Sequence, residues 1–415
     1  MQDTTSAAST SGVSKQRTPQ PTYKHGNEEQ GKDRFPLGTR ASQLALIQAH
    51  HVAEILDSLH PGAGYSFPVA PMSVAGDRNK KDPLYLLTNQ QAGTGQSEVL
   101  QQEATAKTQI AKSLWTEELE EALMERKLDV IVHCLKDMPT QLPENCEIGA
   151  ILTREDPHDA LVVKKGLGYE RLSDLPEGSV VGTSSVRRIA QVRKMYPGLK
   201  VMDIRGNLDT RLRKLDDPNG PFSAIILAAA GMNRMGWQDR ITCTMKSPEI
   251  LYAVGQGALA LEIRAGDARV KQALRRVGDW KAEWGTGAER GLLRELEGGC
   301  SVPVGVEAFI EEVSETDIED LVRPFDKDPE EVKDDAPLLH QSGRGKLAKL
   351  HMTACVTSLD GKKQVVHDAG WVLVKGFLEA EEWGHRVAKD LMGKGGKEIL
   401  DEINLVRQQR EQGLA

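Results

Sequence analysis

The sequence contains no apolar run that approaches the ~20 residues which a membrane-spanning helix needs. Its N-terminus lacks the basic segment followed by an apolar one that marks a secretory signal peptide. The five cysteines are an odd number, lie far apart and form no CxxC pair, which disfavours both a disulfide framework and a zinc site. These absences predict a cytoplasmic protein that has no membrane partner and no metal.

An excess of positive charge is also missing. The 53 lysines and arginines stand against 61 aspartates and glutamates, which gives a net charge of −8. A general nucleic-acid-binding protein is therefore not expected, and any cluster of arginines needs a local explanation. The length of 415 residues is sufficient for two or three domains with separate cores.

Composition and hydrophobic periodicity divide the chain into a tail and three folded parts. Residues 1–33 are rich in Ser, Thr, Gln, Pro and charge, so we expect a disordered tail. Short apolar strands then alternate with amphipathic helices, which is typical of parallel-rich sheets flanked by helices. This pattern predicts a first α/β domain at 34–153, completed by about 256–275, and a second at 154–255.

The last part, 276–415, has a different pattern. Three strand-like runs, VPVGVEAFI, LAKLHMTACVTS and KQVVHDAGWVLV, precede a helix from about Ala380 and another near Glu398. They predict a smaller α+β domain whose antiparallel sheet carries helices on one face. An acidic insertion at 311–346 is expected to be a surface excursion without a catalytic role. Another polar stretch, 88–109, predicts a mobile loop.

Two strand-to-helix turns resemble each other in sequence. LGTRASQLA begins at Leu37, and VGTSSVRRIA begins at Val181. If two similarly built α/β domains face one another, both turns point into a shared cleft, where helix N-termini can bind anions. Chance similarity of the two turns is the alternative.

Arginines accumulate at these turns. Arg187 and Arg188 fall in the first turn of a predicted helix, where the helix dipole disfavours each cation by roughly 0.3 to 1 kcal/mol. A neutralising anion would offset that cost, and Ser184 or Ser185 could cap the helix or bind a carboxylate or phosphate. Each arginine alone could be an ordinary surface residue, but together they indicate a polyanionic ligand. The further cations at such turns are Arg40, Arg205 and Arg211.

Asp137 is an acid among these bases. It follows the apolar run of LDVIVHCLKD, and Pro139 prevents a helix from continuing, so we expect Asp137 at the carboxyl end of a central strand. There it could donate a proton to a leaving amine and then stabilise a neighbouring cation. The alternative is that Lys136 and Asp137 form an ordinary polar strand end. His133 is predicted to be a core histidine rather than a ligand.

Cys300 follows a predicted helix at 290–297 and two glycines, Gly298 and Gly299. The glycines remove the side chains that would shield the sulfur, as covalent attachment of a bulky group requires. A small buried cysteine is the alternative interpretation.

Six motifs together resemble the porphobilinogen deaminase family, also called the hydroxymethylbilane synthases: IVHCLKD, GTSSVRR, IRGNLDTRL, AIILAAAGMNRMGW, YAVGQGALALEIR and ERGLLRELEGGCSVPVG. The resemblance extends from about Phe35 to the C-terminus. It implies two α/β domains of the type seen in periplasmic binding proteins and an α+β domain carrying the cysteine. It also implies a dipyrromethane cofactor held by Cys300 through a thioether bond, and porphobilinogen units added head to tail until a linear tetrapyrrole is released. The implied enzyme is a transferase of haem and tetrapyrrole biosynthesis, and we expect a monomer.

The resemblance also implies roles for the candidate residues. Asp137 matches the aspartate that stabilises the azafulvene cation formed when ammonia leaves, and Arg40 and Lys112 are grouped with it as catalytic. Lys112 matches the lysine of a lid loop, here 76–112. The residues expected at the cofactor are Cys300, Lys136, Asp137, Ser185, Arg187, Arg188, Arg205 and Gly206. Those expected to bind substrate are Arg40, Ser42, Arg205, Arg211 and Arg234.

Two other functions are compatible with parts of the sequence. A non-catalytic two-domain anion-binding protein would share the α/β pair but would need no tethered group at Cys300. A hydrolase with a cysteine nucleophile would need an activating histidine, and the sequence places none beside Cys300. The extra residues before Lys112 and the insertion after Ile310 depart from the family pattern.

Overall fold

The structure, a computed structural model, describes residues 33–73, 116–296, 302–314, 322–325 and 333–411, with side chains up to residue 406. Most of the predicted tail and the predicted loop at 76–112 lie outside these residues. So do Cys300 and Lys112 themselves. Asp33, assigned to the tail, lies in a two-residue strand, β1 (Asp33–Arg34), which pairs with β3 (Tyr65–Ser66).

The first large sheet has five strands in the order β4-β2-β5-β12-β6. β2 is parallel to β4 and β5, whereas β12 is antiparallel to both β5 and β6. The sheet is therefore mixed, and the prediction of a parallel-rich sheet is too simple. The chain leaves this sheet after β6 and returns through β12, which runs back beside β6. The strands are β2 (Leu37–Arg40), β4 (Val69–Met72), β5 (Val130–Cys134), β6 (Cys146–Ile151) and β12 (Leu259–Arg264).

The second sheet also has five strands, in the order β11-β7-β10-β8-β9. β10, β8 and β9 are parallel neighbours, and β7 is antiparallel to β10 and to β11. The strands are β7 (Asp159–Val163), β8 (Val180–Gly182), β9 (Lys200–Met202), β10 (Ala224–Ala228) and β11 (Cys243–Met245).

Helices cover these two sheets. The first helix is predicted from Ser42 to His60, and the structure confirms it with those two residues as its caps. Val52 and Leu56 on its buried face are fully inaccessible and pack into the core of the first sheet. The helices of this region are α1 (Gln43–Leu59), α2 (116–124), α3 (Val186–Met195), α4 (Leu208–Asp216), α5 (Ala229–Arg234) and α6 (Ala268–Leu274).

The C-terminal part is an antiparallel sheet in the order β13-β14-β15, as predicted. Val306, Leu350 and Val372 point from its three strands into one core with the helices. The strands are β13 (Val304–Glu312), β14 (Ala348–Thr357) and β15 (Gln364–Val374), and the helices are α7 (Trp280–Glu295), α8 (Leu338–Gln341), α9 (Phe377–Leu391) and α10 (Lys397–Glu411).

Helix α7 begins ten residues before the predicted start at Arg290. Glycines weaken its helical pattern in the sequence, yet they permit close packing against α9. A Cβ at Gly287 would lie 2.7 Å from the Phe377 ring, and one at Gly384 would lie 1.9 Å from the carbonyl oxygen of Ala288. Burial between two helices therefore outweighs the low intrinsic propensity of glycine.

Two segments cross between the sheets, one after β6 and one before β12. They touch closely, since a Cβ at Gly257 would lie 2.2 Å from the carbonyl oxygen of Glu155, and the φ of Gly257 is +90°. Gln256 also donates a hydrogen bond from Nε2 to the carbonyl oxygen of Pro157 at 2.6 Å. We call these crossing segments, 152–158 and 250–257, the hinge.

The described parts of the acidic insertion pack against the C-terminal part. Leu339 is buried in its core, and Val322 forms an isolated parallel bridge with Val372. Arg323 pairs with Glu379 at 2.7 Å. A buried leucine, a backbone bridge and an ion pair thus attach the described parts of the insertion to the sheet and helices. Within the described ranges, no helix is long and apolar enough to cross a membrane.

Candidate active site

The carboxyl end of β5 carries Lys136 and Asp137, as predicted. The strand ends at Cys134 and continues into a single turn, Leu135–Asp137. Leu135 is buried and anchors this turn, whereas Asp137 is exposed and Lys136 is partly exposed. The carboxylate of Asp137 is therefore accessible to a ligand.

Charged groups from the regions of both sheets, Asp137 and Arg188, affect the pKa of Lys136. Burial is the main cause that lowers its pKa, and Arg188 of the second sheet's region lowers it further. Asp137 acts in the opposite direction and favours the charged ammonium. The end of β5 and the start of α3 therefore lie near one another.

Arg187 and Arg188 share one protein carboxylate, that of Asp159. Arg187 donates from Nη1 and Nη2 to the two oxygens of Asp159 at 2.7 and 3.1 Å, and Arg188 donates from Nε and Nη2 to Oδ1 at 3.0 and 2.7 Å. All three side chains are buried. Asp159 thus supplies one negative charge for the two arginines, which corrects the inference that a ligand alone neutralises them, and one positive charge is left for a ligand anion.

The two arginines have different surroundings. Arg187 also donates to the carbonyl oxygen of Leu251 in the hinge at 2.7 Å. Arg188 donates to the carbonyl oxygen of Ile226 at 2.9 Å and perturbs the pKa values of Lys136 and Arg211. Arg188 is thus the member of the pair that faces the cleft.

Arg211 lies at the first turn of α4. Its Nε donates to the carbonyl oxygen of Gly206 at 2.8 Å, and Gly206 has a φ of 111° that favours glycine. Burial chiefly lowers the pKa of Arg211 to about 10, Arg188 and Arg205 lower it too, and Asp137 opposes them. Three cations that follow β8 and β9, Arg188, Arg205 and Arg211, therefore lie close to one another.

Three of the remaining candidates, Arg40, Ser42 and Ser185, lie at or just after strand ends, whereas Arg234 ends helix α5. Arg40 ends β2, and Ser42 caps α1 by accepting a hydrogen bond from the Ala45 amide at 3.4 Å. Ser185 is the N-cap of α3 but makes no side-chain capping bond, so its hydroxyl is not committed to the helix. Arg234 donates to the Gly257 carbonyl oxygen at 2.7 Å; burial lowers its pKa, whereas Cys134 and Glu155 raise it.

Sequence reasoning missed the buried acids that hold the site together. Asp159 opens β7, and nothing in HDALVV distinguishes it from an ordinary strand start. Glu289 lies within α7 and binds Arg154 of the hinge. Their partners are distant in sequence, so no local pattern could have revealed these pairs. The predicted core role of His133 is confirmed, because its Nε2 lies 2.8 Å from Glu262 in the interior.

The cations of this region suit carboxylate ligands. Among the described residues no group of three or more His, Cys, Asp or Glu could hold a metal ion. Lys136, Arg188 and Arg211 have lowered pKa values, with burial as the main cause and neighbouring cations as a second cause. Carboxylates placed between them would relieve this repulsion. Cys300 lies beyond Leu296, in the undescribed segment between α7 and Val302.

Two α/β units, each with a mixed five-stranded sheet, are joined by the crossing segments of the hinge and carry cations at the strand ends of both, and a smaller α+β part follows them. The family models named "Porphobilinogen deaminase, dipyromethane cofactor binding domain" and "Porphobilinogen deaminase, C-terminal domain" match residues 35–272 and 286–322. The chain belongs to the porphobilinogen deaminase family.

Curated relatives cover nearly the whole chain. A porphobilinogen deaminase of Eremothecium gossypii is 44% identical over 380 residues, 90% of this chain and 99% of the relative. One from Yarrowia lipolytica is 43% identical and covers 89% of this chain and 93% of its own length. One from Saccharomyces cerevisiae is 39% identical and covers 91% and 99%.

Proposed function

We infer that this chain is a porphobilinogen deaminase, a transferase that joins four porphobilinogen molecules head to tail with loss of ammonia and releases the linear tetrapyrrole hydroxymethylbilane. The observation that carries this conclusion is that the family match spans the two sheets whose strand ends bring Lys136, Asp137, Arg188 and Arg211 within electrostatic range. Porphobilinogen carries two carboxylates, so a growing pyrrole chain is a polyanion that these cations suit.

The residues of the cleft fit the cofactor of the family. Dipyrromethane, when bound, supplies the pyrrole position to which the first substrate is joined. The cations Lys136, Arg188 and Arg211 would hold its acetate and propionate groups, and the uncommitted hydroxyl of Ser185 would donate a hydrogen bond. Arg205 and Gly206 would contact the cofactor beside these cations. Arg40, Ser42 and Arg234 would bind the incoming substrate. Cys300 is proposed as the attachment point and Lys112 as the lid residue.

Asp137 is proposed as the catalytic carboxylate. When ammonia leaves porphobilinogen, positive charge develops on the pyrrole, and an exposed carboxylate at the strand end would stabilise it. Asp137 lies near Lys136 and within electrostatic range of Arg211. Its carboxylate would then accept the proton that the coupling step releases.

The competing functions are less well supported. A non-catalytic anion-binding protein accounts for the two sheets but not for the family match of the C-terminal part, residues 286–322. A hydrolase built on Cys300 has no support from the three relatives described above, each of which is a porphobilinogen deaminase.

Intact-mass spectrometry combined with a turnover assay tests the proposal. The active protein should exceed its sequence mass by one dipyrromethane and should convert porphobilinogen. Cys300→Ala should lose both properties. Cys243→Ala, at a partly buried cysteine of β11, is the matched control and should keep both. Full activity in protein of unmodified mass would exclude a tethered cofactor, and absence of turnover in the mass-shifted protein would exclude the activity.

The cytoplasmic location and the monomeric state remain part of this proposal. Fractionation of cells that express the tagged full-length chain tests the location, and light scattering coupled to gel filtration tests the oligomeric state. A membrane-pelleted or dimeric protein would contradict the respective expectation.

A further inference from the structure

Asp159 is a fully buried carboxylate that lies between two adjacent arginines. Its Oδ1 accepts hydrogen bonds from Arg187, from Arg188 and from Gln256 Nε2, the last at 2.8 Å, and its Oδ2 accepts from Arg187. Burial opposes its ionisation, but the two arginines outweigh burial and hold its pKa well below the usual range. Asp159 is therefore ionised in the folded protein at neutral pH.

The charge of this group does not cancel. Two guanidinium groups and one carboxylate leave a single positive charge, and Arg188 carries it toward the cleft, where it perturbs Lys136 and Arg211. Asp159 itself lies within electrostatic range of Lys136. The carboxylate thus sets both the orientation of Arg188 and the net charge that an anion meets.

Asp159 also connects this site to the hinge. Gln256, which binds Asp159, belongs to the hinge segment and bonds the carbonyl oxygen of Pro157 in the other crossing segment. Arg187 binds Leu251 in the hinge, and Gln191, one turn further along α3, binds the amide and carbonyl of the same residue at 2.8 and 3.0 Å. The start of α3 is therefore attached to the hinge through Asp159 and its partners.

We propose that Asp159 is a positioning residue for the anion-binding cleft: it holds the guanidinium of Arg188 in the orientation that binds cofactor and substrate carboxylates, and it fixes that orientation to the hinge. This inference rests on the proposed function. It assigns Arg187 to the hinge side of the group and Arg188 to the ligand side. Asp159 has no contact with the reacting atoms, so its loss should weaken binding more than the chemical step.

A matched control exists in the first sheet's region. Asp129 is also a buried carboxylate between two arginines, Arg264 and Arg269. Its Oδ2 lies 2.5 Å from Arg269 Nη2. Its arginines make contacts remote from the cleft: Arg264 donates to the carbonyl oxygens of Leu123 and Leu128. Asp129→Asn removes the same charge from the same kind of group without touching Arg188.

The experiment compares Asp159→Asn and Asp129→Asn in the full chain. Thermal unfolding should show that both variants are less stable than the wild type. After expression, intact mass should show the cofactor on Asp129→Asn but a large unmodified fraction of Asp159→Asn. In the holo fractions, Asp159→Asn should raise the KM for porphobilinogen roughly tenfold or more, because a displaced Arg188 loses its charge-assisted hydrogen bond to a substrate carboxylate. The kcat should change much less.

Asp159→Glu provides a second test in case Asp159→Asn does not fold. It keeps the negative charge but displaces Arg188 by one methylene, so it should acquire the cofactor and still show a raised KM. A wild-type cofactor fraction and KM in a folded Asp159 variant would overturn the proposal, and so would an equal effect of Asp129→Asn. If instead the wild type itself neither carries the cofactor nor turns over porphobilinogen, the proposed function fails, which is a separate outcome.

Discussion

Arg154 and Glu289 form a bidentate ion pair, with Nη1 to Oε1 at 2.6 Å and Nη2 to Oε2 at 3.0 Å. The pair joins the hinge to α7, the helix that ends just before the segment of Cys300. Glu289 is fully buried and also accepts a hydrogen bond from the Gly255 amide at 2.7 Å. One carboxylate thus attaches both crossing segments to the C-terminal part.

Removing this carboxylate should destabilise the protein strongly. In Glu289→Ala the guanidinium of Arg154 stays in its buried site without its partner, and loss of a partner in a buried pair costs about 3 to 5 kcal/mol. Urea unfolding measures the change. Asp209→Ala breaks an exposed pair with Arg213 and should cost less than about 1 kcal/mol. Similar losses in the two variants would contradict the structural role of Glu289.

Asp137→Asn should impair turnover without loss of the fold. The side chain is exposed and keeps its shape, but its negative charge disappears, so we expect at least a ~10²-fold decrease in kcat. Single-turnover kinetics on cofactor-loaded protein and a thermal melt check both parts. Nearly normal turnover together with a lowered melting temperature would show that Asp137 is structural.

Arg188 and Arg40 should give different mass profiles. Arg188 lies among the cations of α3 and α4, so Arg188→Leu should impair cofactor assembly and leave much apo-protein. Arg40 ends a strand of the other sheet, so Arg40→Leu should acquire the cofactor but add few pyrrole units. Mass spectrometry after addition of porphobilinogen resolves each added unit. Identical mass profiles would show that Arg188 and Arg40 have no separate roles and act through their summed electrostatic potential.

Glu283 should make stability depend on pH. Burial raises its pKa from 4.5 to about 7; the Ile151 amide and Ser342 oppose this shift, and Asp279 adds to it. The folded state therefore binds more protons than the unfolded chain between these values, so stability is full below about 4.5 and decreases as pH rises through 7.

Glu283→Gln should flatten this dependence and stabilise the protein at pH 8 by on the order of 3 kcal/mol. Urea midpoints at several pH values between 5 and 8 measure it. Glu54→Gln, at an exposed position of α1, is the control and should leave the pH dependence unchanged. An unchanged slope in Glu283→Gln would assign the dependence to other groups.

Local patterns in the sequence determined the elements and the chemistry that they carry. The span of the first helix from Ser42 to His60, the cation-bearing turns and the place of Asp137 after β5 all follow from short-range rules of hydrophobic periodicity and strand ends. The C-terminal antiparallel sheet followed in the same way from three apolar runs. Each of these features depends on residues that are neighbours along the chain.

Tertiary structure alone decided how the charges are paired and how the strands are ordered. Asp159 meets Arg187 across 28 positions of sequence, and Arg154 meets Glu289 across 135. β12 enters the first sheet antiparallel because the chain returns through the hinge, which strand-by-strand patterns do not encode. The two arginines proved to share a protein carboxylate because a buried charge needs a partner that the fold brings near, and sequence spacing carries no record of that distance.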